Sequence, residues 1–177
     1  RATDVGPVID GEARAALERH VDAMRSLGLV RHRAALRDAC ANGTFVAPTL
    51  VVLDRLDRLT REVFGPVLHV VEWDAADLDA LVDAINASGY GLTMGVHSRI
   101  DATIARITAR ARVGNLYVNR NMIGAVVGVQ PFGGEGLSGT GPKAGGPHYL
   151  ARFALERTLT VNTAAAGGNA ALFAQDR

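Results

Sequence analysis

The sequence predicts an α/β fold, a mostly parallel sheet with flanking helices, on three observations. Apolar residues recur at helical spacing in three segments. Short runs rich in β-branched or aromatic residues lie between them. Strand and helix signals also alternate across residues 67–119. Such alternation implies crossover units, which join parallel strands.

The first helix is expected from Asp10, whose carboxylate is placed to cap it, with Glu12 in the first turn. Its stripe is Ala13, Leu17, Val21 and Met24. A helix-like stretch over residues 33–39 then leads to Cys40 and the turn signal Asn42-Gly43. Strands are expected at residues 45–53 and 67–73. The second helix follows a capping Asp74, carries Leu78, Leu81, Val82 and Ile85 on one face, and stops at Gly89. A strand at 92–97 precedes the third helix, which opens at Ser98 with Asp101 completing a box-like cap. Its stripe is Ile100, Ile104, Ile107 and Ala111, and Gly114 ends it before a strand at 115–119. A last strand is expected at 158–162, ahead of a small-residue, mobile tail at 164–168.

The chain has 177 residues with 19 basic against 18 acidic side chains, and 48% of it is hydrophobic. The length suits one domain or a large piece of one. Near-neutrality removes the electrostatic footprint of a nucleic-acid binder. Lys143 is the single lysine beside 18 arginines, a compositional bias rather than a basic patch. No apolar run is long enough to span a bilayer. The lone cysteine cannot form an internal disulfide, and no secretory leader pattern is seen, so a cytoplasmic location is expected. The Arg1 start sets the expectation of a piece of a longer protein.

Residues 124–146 break the alternating pattern with nine glycines in 23 residues, plus Pro131 and Pro142. Glycines in that number suit backbone that turns tightly or approaches a ligand closely. The apolar Ile123, Val126, Val127, Val129 and Phe132 argue against disorder, so the stretch is expected to be functional. Within it, Gly134-Glu135-Gly136-Leu137-Ser138-Gly139 matches the dinucleotide fingerprint letter for letter. That fingerprint needs a strand before it and a helix after it, and the prolines and glycines around it allow no helix to start.

Cys40 follows the helix-like stretch rather than sitting in an activating loop, and reads as inert. The histidines His20, His32, His69, His97 and His148 are scattered without ligand spacing, so no metal site is expected. Glu62 admits two readings. It is either a solvated carboxylate ahead of a strand, or an acceptor for both hydroxyls of a ribose, with Phe64 offering a face to a flat ring.

Glu62-Val63-Phe64-Gly65-Pro66, together with Pro131-Phe132-Gly133-Gly134 and Ser138-Gly139, resembles the aldehyde dehydrogenase superfamily. Residues 115–121, 124–130 and 139–147 resemble its Δ1-pyrroline-5-carboxylate (L-glutamate γ-semialdehyde) dehydrogenase branch. The continuation through Val161-Asn162-Thr163 and Gly167-Gly168-Asn169 is similar to the bifunctional bacterial proline utilization A group, which joins a flavin proline dehydrogenase to this module.

The resemblance implies that residues 1–155 are the C-terminal part of an aldehyde dehydrogenase catalytic domain, and 156–177 an oligomerisation strand and tail. It implies NAD-dependent oxidation of L-glutamate γ-semialdehyde to L-glutamate in a bacterial, cytoplasmic homo-oligomer, with FAD confined to the separate proline dehydrogenase module. Glu62 and Phe64 would bind the nicotinamide riboside. Gly145 and Gly146 would hold the substrate α-carboxylate through their amides, as consecutive glycine N–H groups can. Phe153 would line the slot for the methylene chain.

In the family a cysteine attacks the aldehyde and a glutamate activates the hydrolytic water. Both are expected upstream, since Asp4-Val5-Gly6-Pro7-Val8-Ile9 resembles the segment shortly after the nucleophile. Cys40 does not replace it, so this chain alone is expected to be inactive. It is also expected to fold poorly alone, with an unpaired sheet edge. The rival reading is a non-catalytic, aldehyde dehydrogenase-like assembly module.

Overall fold

The computed structural model describes residues 5–126 and 128–162. The expected tail at 164–168, and most of the segment expected to mediate oligomerisation, lie outside the described residues.

Helix α1 (Gly11–Ser26) begins where the sequence places it. Asp10 is extended, and its carboxylate accepts from the Ala13 amide at 2.7 Å, satisfying one orphan donor of the first turn. Leu17, Val21 and Met24 are buried on one face, and Gly28 turns the chain out at φ +72°. Strand β1 (Val30–Arg33) follows and pairs antiparallel with β2 (Thr49–Leu53), with a bulge between Val30 and His32. The helix-like reading of residues 33–39 therefore fails. Arg33 is already paired with Thr49, the next residues have no regular structure, and Asp38–Cys40 is a single 3₁₀ turn. Long-range pairing overrode a weak local helical preference.

Strand β2 alternates in burial, with Thr49, Val51 and Leu53 inward. It runs parallel to β3 (Val67–Val71), from Thr49 opposite Val67 to Leu53 opposite Val71. Met24, Val51 and Leu53 are the buried heart of this half, packed by Leu29, Val30, Leu59, Val67 and Val71.

Asp74 caps the 3₁₀ turn Ala75–Asp77, accepting from the Ala76 amide, and α2 (Leu78–Ala87) continues from it. The short β4 (Tyr90–Gly91) precedes β5 (Thr93–Val96). Helix α3 (Asp101–Arg110) starts later than the box-like cap predicts. Ser98 instead accepts from the Ile100 amide through its hydroxyl, and Asn119 clasps the Ser98 backbone from both sides. The helix ends four residues before Gly114, where the Asn86 side chain bonds Arg110 O and the Arg112 amide. Strand β6 (Asn115–Val118) lies parallel to β5, so α3 is the expected crossover. Leu78, Val82, Val96 and Ile107 form a second buried cluster.

The α/β class holds, with two parallel pairs, but β3 and β5 lie in different sheets. Only the second of the two expected crossovers joins neighbours. Residues 158–162, expected as a strand, are exposed and without regular structure; Leu155 is 96% exposed and Leu159 78%. No helix among the described residues is long and apolar enough to cross a membrane.

Candidate functional site

Residues 59–66 connect a 3₁₀ turn, Leu56–Arg58, to β3. Their end is fixed by the Thr49 amide donating to Pro66 O at 3.0 Å and Val67 to Gly65 O at 2.8 Å. Gly65 lies against Leu17 of α1; a Cβ there would fall 2.4 Å from a Leu17 methyl. The segment is thus clamped between α1 and β2, presenting Glu62 and Phe64 outward. Phe64 is 85% exposed, an unusual amount of bare aromatic surface.

The glycine-rich loop returns to the same place. Its tip forms β7 (Glu135–Gly136), antiparallel to β4, with Leu137 N donating to Gly89 O and Gly91 N to the Ser138 hydroxyl. A cleft of about 690 Å³ lies between the two halves of the fold. Glu62, Phe64 and His69 line it from one side, and Ile85, Tyr90 and Ser138 from the other. Its size and mainly apolar lining suit a small-molecule ligand.

Several of the loop's glycines serve close packing. A Cβ on Gly134 would fall 2.5 Å from Ser138 O, and one on Gly139 2.5 Å from Gly134 O. The letters of the dinucleotide fingerprint therefore build a tight backbone knot. The next helical turn among the described residues is Leu150–Phe153, far too late to receive a pyrophosphate.

Gly145 and Gly146 are not among the lining residues of the cleft. Gly145 is left-handed at φ +70° with open space at its Cβ position. Its amide makes no hydrogen bond among the described residues, whereas the Gly146 amide donates to Lys143 O at 3.0 Å in a turn. Gly124, at φ +68°, also faces open space, and the amides of Gly124 and Ala125 are both uncommitted among the described residues. Phe153 is 74% exposed and packs edge-on against Tyr149, ring centres 5.5 Å apart. Cys40, half-exposed in its 3₁₀ turn, lies outside the cleft lining.

Sequence reading missed one contact, since its partners stand 49 residues apart: His20 of α1 meets His69 of β3, Nε2 to Nε2 at 2.9 Å. One ring must donate and the other accept, so the bond cannot survive double protonation. Burial holds both imidazoles below the usual histidine value of 6.5, with the Arg61 guanidinium adding to this for His20 and His20 itself adding for His69. A depressed folded value means that the unfolded chain binds protons first. The pair's contribution to stability is therefore complete above pH 6.5 and is lost as pH falls below it through the lowered folded values. Thermal unfolding followed from about pH 7.5 to about pH 5.5 is expected to show this loss, and an H20Q/H69Q variant to flatten it. Equal slopes for the two proteins would refute the assignment.

Residues 1–159 match the model of the aldehyde dehydrogenase family. The bifunctional protein PutA of Klebsiella aerogenes is 62% identical over 160 residues, which cover 88% of this chain and 12% of that protein. The 1-pyrroline-5-carboxylate dehydrogenase of Geobacillus kaustophilus is 40% identical over 152 residues, covering 85% of this chain and 29% of that one. Among solved structures, a mutant of proline utilization A from Bradyrhizobium japonicum superposes with a TM-score of 0.84 at 58% identity, over 93% of this chain and 16% of the other. A 1-pyrroline-5-carboxylate dehydrogenase from Thermus with bound NAD gives 0.72 at 35% identity, over 84% of this chain and 28% of the other. The chain thus spans only 12% to 13% of the PutA relatives it matches.

Proposed function

Because the chain belongs to the aldehyde dehydrogenase family, we propose that it forms the C-terminal part of a module oxidising L-glutamate γ-semialdehyde to L-glutamate with NAD. This is the second step of proline catabolism. The observation that carries the reading is the shared cleft, where residues 62–64 face the tip of the glycine-rich loop. Similarity to PutA and to 1-pyrroline-5-carboxylate dehydrogenases supports the substrate, and the NAD-bound Thermus relative supports the cofactor.

The residues present fit that cofactor. Glu62 is an exposed carboxylate able to accept from both hydroxyls of a ribose, and the bare Phe64 ring offers a flat apolar face beside it. NAD supplies the hydride acceptor. The chain's own part is to orient the ribose at Glu62, cover a ring face with Phe64, and hold the substrate carboxylate on backbone amides. Gly145 and Gly146 are the first candidates for that cradle, with Phe153 beside the methylene chain. A second cradle, Gly124 with Ala125, is favoured by one observation: both its amides are uncommitted among the described residues, whereas that of Gly146 bonds Lys143 O.

Residues 1–155 belong on this reading to the catalytic domain, and 156–177 to an oligomerisation strand and tail of a homo-oligomer. The exposed apolar Leu159 and Val161 support it, since a strand there would need a neighbour to pair with. The nucleophilic cysteine and general-base glutamate come from outside this chain, the FAD site from a separate proline dehydrogenase module, and the protein works in the bacterial cytoplasm.

The full-length protein is expected to reduce NAD with L-glutamate γ-semialdehyde, followed by NADH absorbance; absence of turnover would sink the reading. The 177-residue chain alone is expected to show no NAD binding by calorimetry, because Glu62 and Phe64 supply only the nicotinamide side of the site. Clear binding would make it a self-sufficient nucleotide domain.

A further inference from the structure

We infer that Lys143 and Asn115 are positioning residues for the substrate cradle: together they pin the neck of the glycine-rich loop to the start of β6. The inference rests on the dehydrogenase reading above. The neck is the point where the chain enters the loop at residues 131–133 and leaves it at 143–144. Phe132 and Ala144 close it with two backbone bonds, of 3.0 and 2.9 Å. Asn115 ties the entering strand to β6, its side-chain amide donating to Pro131 O at 3.0 Å and its carbonyl accepting from Gly133 N at 3.2 Å.

Lys143 ties the leaving strand to the same spot. Its ammonium donates to Gly114 O and lies 3.5 Å from the Asn115 side-chain oxygen. Its stem fills the space beside the neck: a Cβ on Gly133 would fall 3.3 Å from Lys143 Cγ, and one on Gly146 3.6 Å from Lys143 Cβ. Lys143 O also receives the Gly146 amide, so the same residue fixes the turn carrying Gly145 and Gly146. The second candidate cradle, at Gly124 and Ala125, leads into the entering strand that Asn115 holds.

A compact ammonium reaches a backbone carbonyl in this confined place, where a planar guanidinium needs a fork-shaped partner. In a chain with 18 arginines this is the one position that carries lysine.

The test uses the full-length protein with NAD, comparing L-glutamate γ-semialdehyde with propanal, which lacks the α-carboxylate. K143M is expected to raise KM for the semialdehyde about tenfold, with kcat for propanal within about twofold of wild type. K143R is expected not to rescue it. N115A is expected to resemble K143M, and the double variant to be no worse than the more severe single one, since both act on one neck. Unchanged semialdehyde KM, or equal losses on both aldehydes, would overturn the inference, the latter marking a general fold defect. Hydrogen exchange of the amides at 131–146 separates this failure from failure of the function itself. Faster exchange in K143M, confined to the loop, is expected even if the wild type proves inactive, and unchanged exchange would overturn the pinning directly.

Discussion

Replacing Gly114 by alanine is expected to destabilise the fold by about 3 kcal/mol or more, the largest effect expected for an alanine at any of the described glycines. A Cβ at that position would lie 1.8 Å from Gly133 O and 2.8 Å from Gly134 Cα. Both obstacles are backbone, so no rotamer change can clear them. Relief would require the neck to separate from β6, breaking the bonds from Asn115 to Pro131 and Gly133 at the same time. Denaturant unfolding of the full-length protein measures the loss. Gly28→Ala is the internal comparison, since that position has φ +72° but open space around it, and should cost only about 1 kcal/mol. Equal losses at the two positions would show that the close approach at Gly114 relaxes freely.

The second large effect is on substrate affinity. Of the single variants G145V and A125L, one is expected to raise KM for L-glutamate γ-semialdehyde by about 100-fold, while the other leaves it within about twofold. A carboxylate held by two amides loses charge-assisted hydrogen bonds when a side chain displaces it, and a tenfold change corresponds to about 1.4 kcal/mol. The KM for NAD should stay near wild type in both, because Glu62 and Phe64 belong to a separately clamped segment. G145V as the sensitive variant would assign the carboxylate to Gly145 and Gly146. A125L would assign it to Gly124 and Ala125. Two silent variants would remove the glycine cradle from the mechanism and favour a role in assembly.

What the sequence made legible were features of short range. Asp10 caps α1 because capping is settled within one turn, and Leu17, Val21 and Met24 fall on one face because helical periodicity is local. The crossover from β5 through α3 to β6 was readable for the same reason. Strand β1 was not. Arg31, His32 and Arg33 carry no strand pattern of their own, and they are extended because β2 offers them an edge. Division of the strands into separate sheets was equally invisible, since alternating strands and helices do not say which strands become neighbours.

The site shows the same division. Glu62 and Phe64 were singled out by residue type, and they line the cleft. By residue type the glycine stretch reads as backbone that either turns tightly or approaches a ligand closely, without saying which glycine does which. Gly114, Gly134 and Gly139 in fact serve contacts of backbone on backbone, set by partners the local sequence does not identify. Likewise no spacing rule could bring His20 to His69.

The two buried clusters share no residue, and the cleft runs along the seam between them. Such a molecule has two potential units of cooperativity, each able to lose its packing without first dismantling the other. A ligand lodged in the seam changes that relationship. Because it binds only when both walls are in place, its binding free energy is added to the two units jointly and their melting becomes one event. Occupancy of the cleft would then act as a structural bond between the two halves, so that ligand concentration tunes how cooperatively they melt.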